Sequence, residues 1–266
     1  MRVSFISKKA RFHSIYPRVC AELETRGVEA ETIVVERALF RMSDVAPQAD
    51  LYVLRTRTLL GFSAAAALSL AGARLLVPLG RERVVRNRFL VQQTLVAASI
   101  PAPRAYMAAY ADELAPILRD RGALIIKPHE VSAGKAAFVV RSERELPREM
   151  QGPIFAQEFV PHSTADIKLY GIGSRIFAIR RRFPARTISD KLGDFFTPTR
   201  EMIALATRCR EAFGLQLYGI DLIEGPEGLV VVDVNSTPGY KGVRGAPALI
   251  AELICSSPSE PAMEAS

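Results

Sequence analysis

Between residues 1 and 82, apolar positions switch between the two-residue repeat of strands and the 3.6-residue repeat of helices. Arg2–Ser7 (RVSFIS) predicts a short strand with Val3, Phe5 and Ile6 apolar. Ile15, Val19 and Leu23 fall on one helical face, and Gly27 predicts the stop. Val28–Glu36 and Asp50–Arg55 (DLYVLR) predict further strands, Ala64–Ala71 a helix, and Arg74–Pro78 (RLLVP) a fourth, buried strand. This alternation predicts a small parallel α/β lobe. No G-x-G-x-x-G opens the first helix, so a dinucleotide fingerprint is absent.

The pattern changes after residue 82. Arg83–Ser99 predicts a helix with Val85, Phe89 and Val96 on one face, ended by Pro101 and Pro103. Glu113–Arg121 predicts another, closed by Gly122. Ala123–Pro128 (ALIIKP) predicts a buried strand; a polar loop, His129–Lys135, leads to a strand at Ala136–Arg141. Ile154–Val160 (IFAQEFV) predicts a strand, and Asp166–Ile172 with Arg175–Arg182 a hairpin around Gly173-Ser174. Thr197 as cap and Pro198 at the first position predict a helix that ends at Gly214. Leu217–Ile223 and Leu229–Val234 predict paired strands, and Pro247–Cys255 a last helix. The expected organisation is an α/β lobe over 1–82, α+β subdomains over 83–152 and 153–255, and a disordered tail over 256–266 rich in Ser, Pro and Glu.

Composition narrows the class. The 266 residues are 49% hydrophobic and 24% charged, which excludes a disordered chain, a collagen-like repeat and a disulfide scaffold. Cys20, Cys209 and Cys255 lie far apart, with no C-x-x-C pair. No apolar run reaches the roughly 18 residues of a membrane span, and Lys8, Lys9 and Arg11 interrupt the start too soon for a secretory signal. A cytoplasmic location is therefore expected. The net charge of +7 is spread over short clusters (Lys8–Arg11, Arg81–Arg88, Arg180–Arg186). That favours a nucleotide or a small phosphorylated or anionic metabolite over nucleic acid.

The main chemical constellation is Asp221 (GID) with Asp233 and Asn235 (VVDVN). Asp233 and Asn235 are two apart on a predicted strand and share a face, and Asp221 stands on the partner strand. Two carboxylates and an amide oxygen form a hard, oxygen-only donor set of the kind magnesium takes beside phosphates; the plainer alternative is a solvated surface hairpin. Lys127 closes a buried strand before Ser132, Gly134 and Lys135, a placement that suits phosphate oxygens, although a lysine snorkelling from a strand end is the commoner case. Gln157, Glu158, Phe159 and Val160 could meet a purine edge or simply end a strand. Lys168, Arg180, Arg181 and Arg182 crowd positive charge onto two neighbouring strands. His13, His129 and His162 form no cluster with a nucleophile.

The order SIPAP, IIKP, AQEFV, DIK, IRRR, LYGIDLI and VVVDVNSTPGYKGV resembles the ATP-grasp superfamily, whose fold clamps ATP between two α+β subdomains. The resemblance implies ATP and two magnesium ions as cofactors, with manganese as a substitute, and a family habit of surface homodimers. It implies that Lys127 binds the α- and β-phosphates and that Arg88 replaces an earlier phosphate-binding lysine. Ser132, Gly134 and Lys135 would close over the phosphates, Gln157, Glu158, Phe159 and Val160 would hold adenine, and Asp221, Asp233 and Asn235 would hold the metals, with Asp233 in place of the commoner Glu. Two branches fit. RimK-type ligases phosphorylate a carboxylate that an amine then attacks; there Arg182 would steady the acyl phosphate, Lys168 replaces an arginine, and the asparagine usual after Arg186-Thr187 is missing. Inositol-phosphate kinases share the closing motif and would place their arginine at Arg181. The expected function is the ligase, acting on a small anionic substrate and an amine; a kinase is the alternative. A non-catalytic nucleotide- or RNA-binding module is a further one.

Overall fold

The computed structural model describes residues 1–8, 15–128, 137–150, 152–161, 165–182 and 192–257, with the backbone alone at Pro128, Ala165 and Arg182. In the first lobe the strands β1 (Arg2–Ser7), β2 (Glu29–Val34) and β3 (Leu51–Leu54) form a parallel sheet of order β2–β1–β3. The helix α1 (Tyr16–Glu24) returns the chain from β1 to β2 and buries Tyr16, Val19 and Leu23; Val19 and Leu23 are on the expected face, while Ile15 is the half-buried residue that precedes the helix and Tyr16 takes its place in the core. The helix α2 (Leu59–Leu70) follows β3. Arg74–Pro78 is not a fourth strand. Only Leu75 bridges to Tyr52, because Pro78, which lacks an N–H, already caps the helix that follows.

The single helix expected over Arg83–Ser99 is two, α3 (Leu79–Arg86) and α4 (Arg88–Ala97). Asn87 separates them in an extended conformation, and its Oδ1 accepts the N–H groups of Phe89 at 2.9 Å and Leu90 at 3.3 Å. An asparagine cap of this kind starts a helix afresh, and here it sets Arg88 at the first helical position.

The chain then builds a four-stranded antiparallel sheet from β4 (Ala105–Ala108), β5 (Leu124–Pro128), β6 (Phe138–Val140) and β7 (Ile154–Glu158), in the order β4–β7–β5–β6. The helix α5 (Ala115–Arg121) covers it, and Leu114, Leu118, Leu124, Ile126 and Ile154 form its core. A five-stranded antiparallel sheet follows. Its strands are β8 (Ala165–Ile172), β9 (Arg175–Arg182), β10 (Asp194–Phe196), β11 (Leu217–Gly225) and β12 (Gly228–Asn235), ordered β10–β9–β8–β11–β12. Before β11 lies α6 (Arg200–Phe213), and after β12 lies α7 (Ala246–Ser256). The cap of α6 is Thr199, whose Oγ1 accepts Met202 N–H at 3.2 Å, rather than Thr197. Thr197 precedes a proline, which favours extended backbone there.

The two faces of this larger sheet carry different partners, as the period of two requires. Leu169, Ile220 and Leu222 face α4 and α6, joining Leu95, Leu205 and Phe213. Thus α4, in the expected 83–152 unit, and α3, which straddles its start, bury their apolar sides on the five-stranded sheet. Tyr170, Ile172 and Leu217 turn the other way, onto α1, α7 and the sheet of the first lobe. Close packing leaves no room for extra atoms at Gly171 of β8. A Cβ there would fall 2.0 Å from the ring of Tyr218 on β11, which is buried. Gly171→Ala is expected to destabilise the protein by about 1–3 kcal/mol. A lower denaturant midpoint at unchanged slope checks this; an unchanged midpoint contradicts the packing.

Candidate active site

The antiparallel register sets Lys168 on β8, Asp221 on β11 and Asp233 on β12 in one row across the sheet. Directly opposed side chains share a face, and this row looks toward the first lobe. Lys168 Nζ donates to Asp221 Oδ2 at 2.7 Å, and Arg181 donates to Asp221 Oδ1 at 3.0 Å. Asp233 Oδ1 takes an ion pair from Arg88 at 3.1 Å. Gly219 faces Asn235, and a Cβ there would lie 3.1 Å from Asn235 Nδ2, from Lys168 Cε and from Pro238 Cβ, so the missing side chain makes the space these groups use.

Burial pushes the Asp221 carboxyl up, but Lys168 and Arg181 outweigh it and hold the pKa below the usual value. Asn235 is 8% exposed, and its Oδ1 is buried with no hydrogen-bond partner. A buried amide oxygen without a donor is costly, and a cation is one partner that satisfies it. Among the described residues no three or more His, Cys, Asp or Glu side chains gather as a metal cluster. The donors present are Asp221, Asp233 and Asn235, all oxygen. That set fits magnesium, which leaves the rest of its shell to water and phosphate.

A β-bulge joins the two larger sheets. Asp221 pairs with Asp233, yet Leu222 pairs with Val231, so Val232 is the extra residue. Its carbonyl accepts from Lys127 Nζ, which reaches across from β5 at 3.1 Å. Lys127 is 8% exposed. Burial pulls its ammonium down to about 8; Asp233 opposes this, Arg88 adds to it and Asp221 opposes it. Lys127 also donates to Gln157 Oε1, Gln157 donates to Gln92 Oε1 at 3.0 Å, and Gln92 donates to the carbonyl of Pro103 at 2.9 Å. This relay fixes the rotamer of Lys127.

The other expected residues are dispersed. Gln157 serves Lys127 with its side chain. The Glu158 carboxylate faces outward, taking the Tyr106 hydroxyl at 2.6 Å and the Arg121 guanidinium at 3.1 Å. Arg141 stacks on the ring of Phe159, and Val160 packs at Gly225 of β11. Of the arginine run, Arg181 reaches Asp221, while Arg180 stacks on Phe196. The side chain of Arg182 and the residues Ser132, Gly134 and Lys135 lie outside the described residues, as do His13, His129, His162 and the tail from residue 258.

Three side chains at the site were not foreseen. Gln92 sits within the apolar repeat of its helix and carried no motif. Glu82 is buried inside a basic cluster, taking the Ser236 hydroxyl at 3.0 Å and Arg86 at 3.4 Å. Burial raises its pKa against the pull of Arg86. Arg57 follows β3 and lines a cleft with Glu82, Arg86, Asn235, Ser236 and Thr237. The pair Arg55 and Arg57 just after an apolar strand was the available signal.

Two α+β sheets joined by a lysine that reaches the bulge beside paired acids define an ATP-grasp fold. A family model described as the RimK-like ATP-grasp domain matches residues 85–254, and the chain belongs to that family. A probable alpha-L-glutamate ligase of Legionella pneumophila (strain Corby) is 27% identical over 176 residues, covering 60% of this chain and 58% of that protein. The chain thus spans less than two thirds of that relative. A protein of the same description from Methanococcoides burtonii is 23% identical over 274 residues, covering 92% of this chain and 91% of its own length. Among solved structures, a RimK-domain ATP-grasp protein of Sphaerobacter thermophilus aligns at TM-score 0.80 and 20% identity, covering 96% of this chain and 100% of that one.

A phosphate contact favours the ammonium form of Lys127. Affinity for magnesium AMP-PNP is therefore expected to be highest below pH 8 and to fall above it, approaching about tenfold per pH unit. Calorimetry from pH 6.5 to 9.5 checks this. Lys127→Met is expected to bind weakly and to lose the pH dependence; a wild-type profile in that variant contradicts the assignment.

Proposed function

We propose that the protein is an ATP-dependent carboxylate–amine ligase acting through an acyl phosphate. One observation carries the reading: Asp221, Asp233 and the partnerless Oδ1 of Asn235 converge beside Lys127, Lys168 and Arg181. Oxygen donors next to cations suit a triphosphate with its metal. Magnesium, once bound, supplies positive charge to the phosphates. Lys127 meets the α- and β-phosphates, with Arg88 beside it. Gln157, Glu158, Phe159 and Val160 flank the base, Glu158 through its backbone, since its carboxylate is engaged elsewhere. The resemblance gives the role of closing over the phosphates to Ser132, Gly134 and Lys135, which lie outside the described residues.

In the first step an oxygen of the acceptor carboxylate forms a bond to the γ-phosphorus. The bond from that phosphorus to the bridging oxygen breaks, and ADP leaves. In the second step the amine nitrogen bonds to the acyl carbon. The carbon–oxygen bond to phosphate breaks, inorganic phosphate departs, and the nitrogen gives its proton to solvent. Lys168 and Arg181 offset charge on the transferring phosphoryl group and hold it in line; the resemblance gives Arg182, whose side chain lies outside the described residues, the same role. The relatives described as probable alpha-L-glutamate ligases support an amino acid as one substrate.

The kinase reading keeps one specific support: Arg181, the position at which the resemblance to inositol-phosphate kinases puts its arginine, is the arginine that reaches Asp221. Phosphorus-31 NMR of the products separates the two. The ligase releases inorganic phosphate only when an amine is present, whereas a kinase leaves a phosphate ester. Asp233→Ala and Asn235→Ala are each expected to lose at least 100-fold in ATP turnover, on the order of removing one transition-state contact, with the fold retained by circular dichroism. Turnover like wild type in either variant refutes the metal assignment.

A further inference from the structure

The larger sheet ends where the metal donors stand. Its last strand, β12, has β11 on one side and no strand on the other among the described residues. The middle of β12 is held from outside the ladder: Val231 N–H donates to the Pro101 carbonyl at 2.8 Å, and the Val232 carbonyl accepts from Lys127 at 3.1 Å. Its register with β11 stops at the pair Gly219 and Asn235. Gly219 has no side chain to brace Asn235, and Asn235 Oδ1 meets no donor among the described residues. Strand ends open more easily than strand centres, so a metal donor at this position needs an anchor beyond the ladder.

The next residue supplies it. Successive side chains on a strand leave opposite faces, and Ser236, one step past the strand, turns to α3. Its hydroxyl donates to Glu82 Oε2 at 3.0 Å, and both residues are buried. The carboxylate is itself held in place. Arg86 Nε, one turn along α3, donates to the same oxygen at 3.4 Å, and Arg86 also donates to the Thr56 carbonyl of the first lobe. Val85 fixes α3 in the core of the five-stranded sheet. Glu82 stands in the first turn of α3, where the helix dipole favours an anion. A carboxylate only accepts hydrogen bonds, so Ser236 is committed as the donor and its rotamer is set. Glu82 is also the counterion of Arg86, but that role alone leaves its bond to Ser236 without a purpose.

We propose that Glu82 is a positioning residue of the metal site: through Ser236 it fixes the end of β12 so that Asn235 presents its amide oxygen to the divalent cation. Glu82 itself does not touch the ion. The path runs from the first lobe through Arg86, Glu82 and Ser236 to the donor. This rests on the reading of Asn235 as a metal ligand.

The test uses the full chain with AMP-PNP and manganese in place of magnesium, and reads bound manganese by electron paramagnetic resonance. Ser236→Ala is expected to weaken manganese binding on the order of tenfold, the effect of losing a group that orients a metal ligand. Ser236→Thr, which keeps the hydroxyl, is expected to restore it. Glu82→Met, which keeps the bulk and removes the acceptor, is expected to match Ser236→Ala, and in that background to add less than about twofold. Affinity for AMP-PNP in EDTA is expected to stay within about twofold of wild type throughout. Wild-type manganese affinity in Ser236→Ala overturns the proposal. So does a loss of AMP-PNP affinity in EDTA as large as the loss for manganese, since the pair then serves the fold alone. Fully additive losses in the double variant overturn the action through Ser236. Ser236→Ala against Ser236→Thr decides the matter even where Glu82→Met does not fold. Asn235→Ala separates the two readings. If it binds manganese like wild type, the metal assignment fails; if it binds weakly while Ser236→Ala does not, only the role of Glu82 fails.

Discussion

Two carboxylates on an apolar sheet must be neutralised, and the arrangement of the site follows from that. Asp221 lies between Ile220 and Leu222, both fully buried. Moving an ion into such surroundings costs several kcal/mol unless charge and hydrogen bonds compensate. The compensation comes from three elements: Lys168 on β8, Arg181 on β9 and Arg88 on α4. The contacts from Lys168 and Arg181 hold the Asp221 carboxyl below its usual pKa, and together with the Arg88–Asp233 pair they fix how the helix and strands meet. Divalent cations and a triphosphate arriving here would exchange partners with these cations. Lys168, Arg181 and Arg88 would be released from the acids toward the phosphate oxygens, so no charge need be left uncompensated.

The bulge at Val232 extends this constraint to the neighbouring sheet. A regular ladder would pair every residue of β12 with β11. One extra residue turns a carbonyl toward Lys127, whose ammonium would otherwise be buried with a single side-chain acceptor. The lysine is anchored at both ends, by its strand and by Gln157 and Gln92. It costs little entropy to hold in place, because the ordering has already been met by folding. Pre-set cations of this kind need no rearrangement when charge shifts on a phosphoryl group.

Much of this was legible in the chain. The strands β5, β7, β8, β9, β11 and β12 carry strong apolar signals, and Asp-x-Asn at the end of β12 points to its own chemistry. The elements that escaped have physical reasons. Strand β4 is an edge strand whose Met107 is exposed, so its alternation is weak. The break at Asn87 lies within one continuous apolar periodicity and depends on a cap that only the backbone reveals. The bulge is invisible, since an inserted valine among valines changes no composition. Gln92, Glu82 and Arg57 act through partners far away in sequence, such as Gln157, Ser236 and Thr237. No local window contains both members of such a pair.

Two departures from the family pattern meet each other. The resemblance puts lysine at the position of Arg88 and glutamate at that of Asp233; this chain has a longer, forked cation and an acid one methylene shorter. The two side chains close to 3.1 Å. Arg88 stands at the first position of α4, where the helix dipole opposes a cation. Asp233 lies on a half-buried strand, where a carboxylate without a partner is penalised. Each residue is unfavourable alone, and each removes the other's cost. The longer cation and the shorter acid meet at ion-pair distance, so each charge has its partner in the folded chain.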